Sequence, residues 1–468
     1  MSAASQPEFG ARSASSSSFV DTFIALTVIV LVSWLQDWCQ SLAREGTPYN
    51  RGMTGKADVL VLGGGVIGLS CALFLLEAGR SVVVLEQGTA GCAASHGNCG
   101  TLTPSHAAPL ALPGTLAQAL RWLFNPDAPL RIAPRADAAL LRWLTSFALR
   151  CNWRDALRAT VAKAPLLARS RELVGELVRR ERIECEFESS GTLNVYRDAA
   201  AFDQACVLHE RFAAVAPPVE VLGAQATLVR EPALKPGVAG SLFNPGDASL
   251  RPDRYVAGLA RLVRARGGVI EEGARVDGIE RDANGIAGVA TTRGRRQGRD
   301  VVLALGAWSP RLARSLGVHL PIQPGKGYSI TFTRPAICPR IPLTLKDPSV
   351  CVTAWSSGYR LGSTMEFAGY DERLNRTRLD ALRRGAAAFL HEPEGATVNE
   401  EWYGWRPMTP DDLPLIGRSA AIPNLVIASG HGMLGMTMSA GTGLLVSEIV
   451  CGKPPQLDIA PFDPARFH

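Results

Sequence analysis

An α/β fold is predicted by three observations, with one domain on a parallel sheet and a second, α+β domain on an antiparallel sheet. The chain has 468 residues, more than one hydrophobic core usually serves, so two domains are expected. A strand–glycine–helix–strand–acid series opens at Ala57. Short alternating strand patterns follow between residues 267 and 294, and helical patterns dominate residues 112–228.

The bulk numbers exclude several classes. Hydrophobic residues at 47% and charged residues at 20% give a globular balance. The formal charge of +6 is spread thinly, and "RRERIE" and "RGRRQGR" read as solvated helix and turn surfaces. No basic cluster carries stacking aromatics, so no nucleic-acid partner is expected. The ten cysteines include no C-x-x-C pair; Cys92 and Cys99 are closest, with no histidine cluster beside them. Thiols in a reducing, cytoplasmic compartment are expected, and no metal.

Residues 1–52 form an extension. Its first part, to Ser18, is rich in Ser and Ala and is expected to be disordered. The charge-free run from Thr22 to Leu35 is shorter than the roughly 20 residues that span a bilayer. It reads as a short anchor, as an interfacial helix on the inner face of the cell membrane, or as a segment outside the natural protein, translation then starting at Met53. The basic residues Arg44, Arg51 and Lys56 favour a cytoplasmic location for the domain that follows.

The first element of that domain is Val59 to Leu62, an apolar run suited to a buried parallel strand. Gly63, Gly65 and Gly68 follow at G-x-G-x-x-G spacing, with Val66 and Ile67 inside the loop. The first glycine permits a tight turn, the second lets a pyrophosphate approach the backbone, and the third lets helix and strand pack closely. Leu69 to Ala78 reads as helix, ended by Gly79. Ser81 to Leu85 is the second strand, and Glu86 at its end can hold ribose hydroxyls. A Rossmann-like site for an ADP-ribose moiety follows.

This unit alone does not separate FAD from NAD. The next pieces point to FAD: "GGVIEEGARVDGIERDANGIAGVATTRG" reads as alternating strands with a turn at Asn284-Gly285, and "GRDVVLALG" as a buried strand ending at Gly306. Such an insertion between Rossmann-like strands is the habit of FAD-binding, two-domain oxidoreductases. A second G-x-G-x-x-G, Gly430, Gly432 and Gly435, follows the strand pattern "NLVIAS". The next acid, Glu448, falls inside a helix rather than at the end of another strand, so no second nucleotide unit is completed.

With the motifs "SHGNCGTLTP", "PGKGYS", "YGWRPMTPDDLPLIGR" and "GHGMLGMTMSAGTG" in place, the chain resembles the D-amino-acid oxidase-like FAD-dependent oxidoreductases, and among them the D-amino-acid dehydrogenases, from about Ala57 onward. The resemblance implies that the second glycine loop approaches the flavin ring, so both motifs grip one FAD. The cofactor set it implies adds Ser95, Val276, His431 and Met433 to the glycines, Val66, Ile67 and Glu86. Arg406 takes the place of the substrate-carboxylate arginine, the alternative being a pair with Asp411 or Asp412. Tyr328 is expected to line the pocket, Lys326 to lie near the flavin or at the surface, and Asn98 and His106 to turn polar groups to the substrate. His431 is expected to touch the flavin, with proton abstraction the lesser role.

Two departures bear on the substrate. Glycine-oxidising relatives carry an arginine where this chain has Met433, and the tyrosine that relatives place before the "GYRLG" strand is replaced by Val350 and Cys351. Residues 56–111, 229–318 and 407–468 are expected to form the FAD domain, and 112–228 with 319–406 the substrate domain. "ALLRWLTSFALRC" and "LARSRELVGELVRRE" carry apolar residues at helical spacing; an exposed apolar face among them would dock on a membrane. The implied reaction is oxidation of a D-amino acid to the 2-oxo acid and ammonia, electrons passing to a quinone. A glycine- or sarcosine-type oxidase, a D-hydroxyproline dehydrogenase, an NAD(P)H-dependent reductase or monooxygenase, and a non-catalytic flavin scaffold are the alternatives.

Overall fold

Six strands make the sheet that the first glycine motif begins. The order is Leu415–Arg418, Leu425–Ser429, Gly298–Leu303, Ala57–Leu62, Val82–Leu85 and Val269–Glu271, all parallel except the first. The computed structural model describes residues 56–122 and 128–467; the expected N-terminal anchor lies outside them.

Alternation along these strands builds two cores from one sheet. Val59, Val61, Val82, Val84, Val302 and Val426 face the helices Val66–Glu77, Trp153–Glu181, Pro252–Ala265 and Gly435–Cys451. Leu60, Leu62, Val83, Leu85, Val301 and Ile427 face the other way, onto Ile286 and Val289 of a small three-stranded sheet. Burial on both faces is why the strands are nearly unbroken apolar runs. The hairpin between Val276–Asp282 and Gly285–Thr291 turns one residue earlier than expected, because Asp282 pairs with Gly285. Gly285 has φ +124, and a Cβ there would lie 2.2 Å from Asn424 Oδ1.

The second sheet has nine strands. Its main path runs Val398–Met408, Gln323–Phe332, Gly358–Phe367, Val350–Trp355, Leu343–Leu345, Thr192–Tyr196, Gly240–Asn244 and Glu220–Gly223, with Leu130–Ile132 pairing on Gly358–Phe367. One face packs on the Arg376–Phe389 helix through Ile330, Phe332, Leu361, Leu379 and Leu382.

The two halves share the chain differently from the expected division. Gly240–Asn244 lies in the second sheet although residues 229–318 are expected in the cofactor half. The Trp153–Glu181 helix, assigned to the substrate half, packs under the first sheet, where Ser170 Oγ accepts Gly441 N–H at 2.9 Å. Its stripe of Leu166, Leu167, Val174 and Leu177 joins the core on that side, against the Gly435–Cys451 helix. Residues from Lys56 onward form one compact unit. Leu116, Leu120, Leu141, Leu149, Leu157 and Val161 on the inserted helices are exposed. No helix among the described residues is long and apolar enough to cross a membrane.

Candidate functional site

Four parallel strands end in residues singled out from the sequence. Gly63 follows Leu62, Glu86 follows Leu85, Gly306 comes soon after Leu303, and Gly430 follows Ser429. In open α/β sheets ligands bind outside the carboxyl ends of the strands. The strands before Gly63 and Gly430 are two places apart in the sheet, about 10 Å. Two dinucleotides do not fit on one edge at that spacing; one extended cofactor touching both loops does.

The first loop fits such a cofactor. Gly63 has φ +107, and a Cβ on it would lie 2.5 Å from the Ala304 carbonyl oxygen. A Cβ on Gly68 would lie 1.9 Å from Gly63 O, so helix and strand meet only because it is absent. Gly65 differs: its φ is −77, and the nearest atom to an added Cβ is Ser95 Oγ at 3.5 Å. Nothing in the protein itself calls for glycine there, which is the expectation where a pyrophosphate needs the space. Ser95 Oγ accepts Val66 N–H at 3.0 Å and steadies the helix start. Ile67 turns its side chain to the core. The Glu86 carboxylate accepts from Gly64 N at 2.7 Å and Gly88 N at 2.8 Å, so it sits over the glycine turn. Ala274 N donates to Glu86 O at 2.8 Å, which brings Val276 to the same edge.

The second loop has Gly430 at φ +77 and Gly432 at φ +53. Gly432 N donates to Pro407 O at 3.0 Å, tying the loop to the strand that carries Arg406. Gly435 then opens a helix with no N-cap side chain, leaving backbone N–H groups free for negative charge.

Between the two halves lies a cavity of about 1960 Å³. Val66, Ser95, Gly306, Gly432, Met433 and Gly435 line one side, and Cys99, Cys351, Thr364 and Arg406 the other. Ordinary ligand pockets hold about 300–1,000 Å³, so there is room for a dinucleotide and a small substrate together.

Arg406 is a cation of this wall without an ion pair among the described residues. Its Nη1 donates to Thr364 O at 2.7 Å, and no carboxylate pairs with it among the described residues. The acids that could have claimed it are engaged: Asp411 with Arg466 at 2.8 Å, Asp412 with the buried Lys163 at 2.5 Å. Gly327 makes room for it, since a Cβ there would lie 2.3 Å from Arg406 Nη1. Burial lowers its pKa, but a guanidinium remains charged. The structure brings Arg406, His431, Met433, Gly432 and His106 to one cavity.

Two expectations are corrected, for Tyr328 and Lys326. Tyr328 borders the cavity, but alternation sets its ring on the face opposite Gly327 and Arg406; it packs with Ile330 and Leu361 and donates to Glu366 Oε2 at 2.5 Å. It is not placed to act on a substrate. Asn98 does line the cavity, its side-chain oxygen accepting Gly100 N–H at 2.7 Å. Lys326 is neither surface nor cavity wall: it is wholly buried, its ammonium donating to Arg373 O and lying 4.6 Å from the Tyr403 ring centre.

His431 is 4% exposed and its Nε2 lies 3.0 Å from Thr442 Oγ1. Burial pushes its pKa down to about 3, and His106 is pushed down to about 3 by burial, then by Lys346 and Lys163. Both are neutral at pH 7, and such weak bases are poor proton acceptors. The unfolded chain binds protons at His431 near pH 6.5 and the folded chain does not, so stability is intact above about 6.5 and falls as pH falls toward 3. At pH 5 the loss from His431 is about 2 kcal/mol. Urea unfolding at pH 7 and pH 5 should show it, and His431→Asn should reduce the difference.

One pair was not readable from spacing. Cys99 Sγ fills the space over Gly362, where a Cβ would lie 2.4 Å away, and hydrogen-bonds to Cys351, the residue across from Gly362 in the sheet. That bond draws the Cys351 thiol down, against burial, with Thr344, Arg406 and Lys346 adding.

Known proteins share this architecture. The family model described as FAD dependent oxidoreductase matches residues 58–449. A D-amino acid dehydrogenase of Rhizorhabdus wittichii is 36% identical over 409 residues, 86% of this chain and 97% of that protein. One from Allorhizobium ampelinum is 33% identical over 419 residues, 87% of this chain and 98% of that protein. The crystal structure of glycine oxidase from Geobacillus kaustophilus matches with a TM-score of 0.70 and 26% identity, over 88% of this chain and 99% of that one. Matched over this span by sequence and by fold, the chain belongs to the FAD-dependent oxidoreductases and takes FAD as its cofactor.

Proposed function

We propose that the protein is a D-amino-acid dehydrogenase, converting a D-amino acid to the 2-oxo acid and ammonia and passing the electrons to a quinone. The observation that carries this reading is Arg406: a half-buried guanidinium with no ion pair among the described residues, on the wall facing the second glycine loop. Its planar fork matches a carboxylate in two-point contact and fixes the α-carbon. FAD, when bound, supplies the acceptor for the α-hydrogen and its electron pair. No strong base is needed if the amine enters neutral, and a His431 held uncharged against Thr442 agrees with that. The uncapped start of the Gly435–Cys451 helix favours negative charge at the cavity. The imino acid released is then hydrolysed by water. The names of the 33–36% identical relatives support the substrate class, and the exposed leucines of the inserted helices support a membrane-dissolved acceptor at the inner face of the cell membrane.

A second reading, an oxygen-using oxidase of glycine or a small N-methyl amine, is favoured by the match to glycine oxidase. Anaerobic mixing of the holoprotein with D- and L-amino acids, sarcosine and NADPH separates the two. Rapid bleaching of the flavin absorption by D-amino acids, with reoxidation by a quinone analogue faster than by oxygen, is the expected result. Bleaching by NADPH alone would sink the proposal.

A further inference from the structure

The cavity face of the nine-stranded sheet carries a second cation. Lys346 borders the cavity just beyond Leu343–Leu345, two residues from Thr344, and so projects on the same face. Its ammonium has no hydrogen-bond or carboxylate partner among the described residues; the adjacent Asp347 is taken by the backbone N–H groups of Arg197 and Asp198. Burial lowers its pKa, and the one group acting to raise it is the Cys351 thiol.

Asn194 stands on the neighbouring strand, in register with Thr344. It is 8% exposed, it lines the cavity, and its Oδ1 has no partner. Its neighbours Leu193 and Val195 face the core, so the amide faces the cavity. An ammonium that borders a cavity without an acceptor is costly unless an anion satisfies it; the amide beside it can donate from Nδ2 to the same anion, while its Oδ1 can accept from the ammonium.

The spacing to Arg406 is also set by the sheet. Arg406 reaches over Gly327 to Thr364 on Gly358–Phe367. From there to Leu343–Leu345 is two strand spacings, about 10 Å, part of which the lysine side chain takes up. Cys351 lies between, close enough that both cations act on its thiol.

We propose that Lys346 and Asn194 form a side-chain subsite for a carboxylate, and that the substrate is an acidic D-amino acid held between Arg406 and Lys346. The inference rests on the dehydrogenase reading and names its substrate class. Two separated cations match the two carboxylates of a short dicarboxylic acid, while the α-amine needs no charge partner because it enters neutral.

The test is anaerobic flavin reduction of the holoprotein by D-glutamate and D-aspartate against D-norvaline and D-alanine, in wild type, Lys346→Met and Lys346→Arg. The expected result is a preference for the acidic substrates in wild type. Lys346→Met should lose tenfold or more of the reduction efficiency for D-glutamate and change that for D-norvaline less than threefold; Lys346→Arg should keep the acidic preference. Glutarate, titrated against the flavin spectrum, should bind wild type at least tenfold more tightly than Lys346→Met. Reduction by neutral substrates with an acid-to-neutral ratio unmoved by Lys346→Met overturns the subsite alone. Absence of reduction by every D-amino acid overturns the reaction and the subsite with it.

Discussion

Arg406→Ala is expected to lose about 10²- to 10³-fold in kcat/KM for a D-amino acid while keeping its flavin. Removing one partner of a buried ion pair costs about 3–5 kcal/mol, because the remaining charge is left without a partner in a desolvated site. Here that remaining charge is the substrate's own carboxylate. The flavin should stay, because Arg406 lies on the wall opposite the glycine loops and, among the described residues, bonds to Thr364 O alone. Arg406→Lys should recover part of the loss, since an ammonium supplies charge without the fork. The readouts are flavin content and the rate of anaerobic bleaching. Loss of flavin together with activity would mean that Arg406 is structural and would remove the main support of the proposed reaction.

The second large effect separates two glycines of one motif. Gly68→Ala places a Cβ 1.9 Å from a backbone oxygen, well inside the 3.0 Å that real Cβ atoms keep. The Val66–Glu77 helix must then leave the sheet, and overpacking of a rigid contact typically costs about 1–3 kcal/mol or more. Colourless protein with a lowered unfolding temperature is expected. Gly65→Ala meets nothing closer than 3.5 Å, at an ordinary φ. Its apoprotein should unfold as wild type does, yet bind FAD at least tenfold more weakly, a loss of about 1.4 kcal/mol. Absorbance of the flavin relative to the protein, and thermal unfolding of the apoprotein, read both. A Gly65→Ala protein with full flavin content would show that the cofactor does not approach that turn.

Both glycine loops were legible because their chemistry is local. Strand, glycines, helix, strand and Glu86 follow within thirty residues, and each position has a backbone reason. The placement of the second loop on the same sheet edge followed from an incomplete nucleotide unit, and the register of Leu425 against Val301 agrees with it. What escaped was decided by pairing across the sheet. Tyr328 could not be told from a pocket residue until its strand was seen to alternate Gly327 toward Arg406 and Tyr328 toward the Arg376–Phe389 helix. Cys99 and Cys351 are far apart in the chain, and only Gly362 between them reveals the contact. Lys346 and Asn194 read as polar residues on half-buried strands, the pattern of any solvent-facing edge. Their meaning depends on a cavity that no spacing announces. The helical insert shows the same limit: periodicity found Trp153–Glu181, but not which sheet its stripe would cover.

The strand Leu425–Ser429 and the helix Gly435–Cys451 come from the last part of the chain, yet they lie inside the cofactor half rather than at its margin. A nascent chain that has not yet delivered them leaves Gly298–Leu303 as an open sheet edge and the face of Val66–Glu77 around Ser70 uncovered. The cofactor half is complete only once these two elements have been made, and long-range parallel pairing is slow. Holoenzyme yield in a cell will therefore depend on chaperone supply and on free FAD at the moment of release.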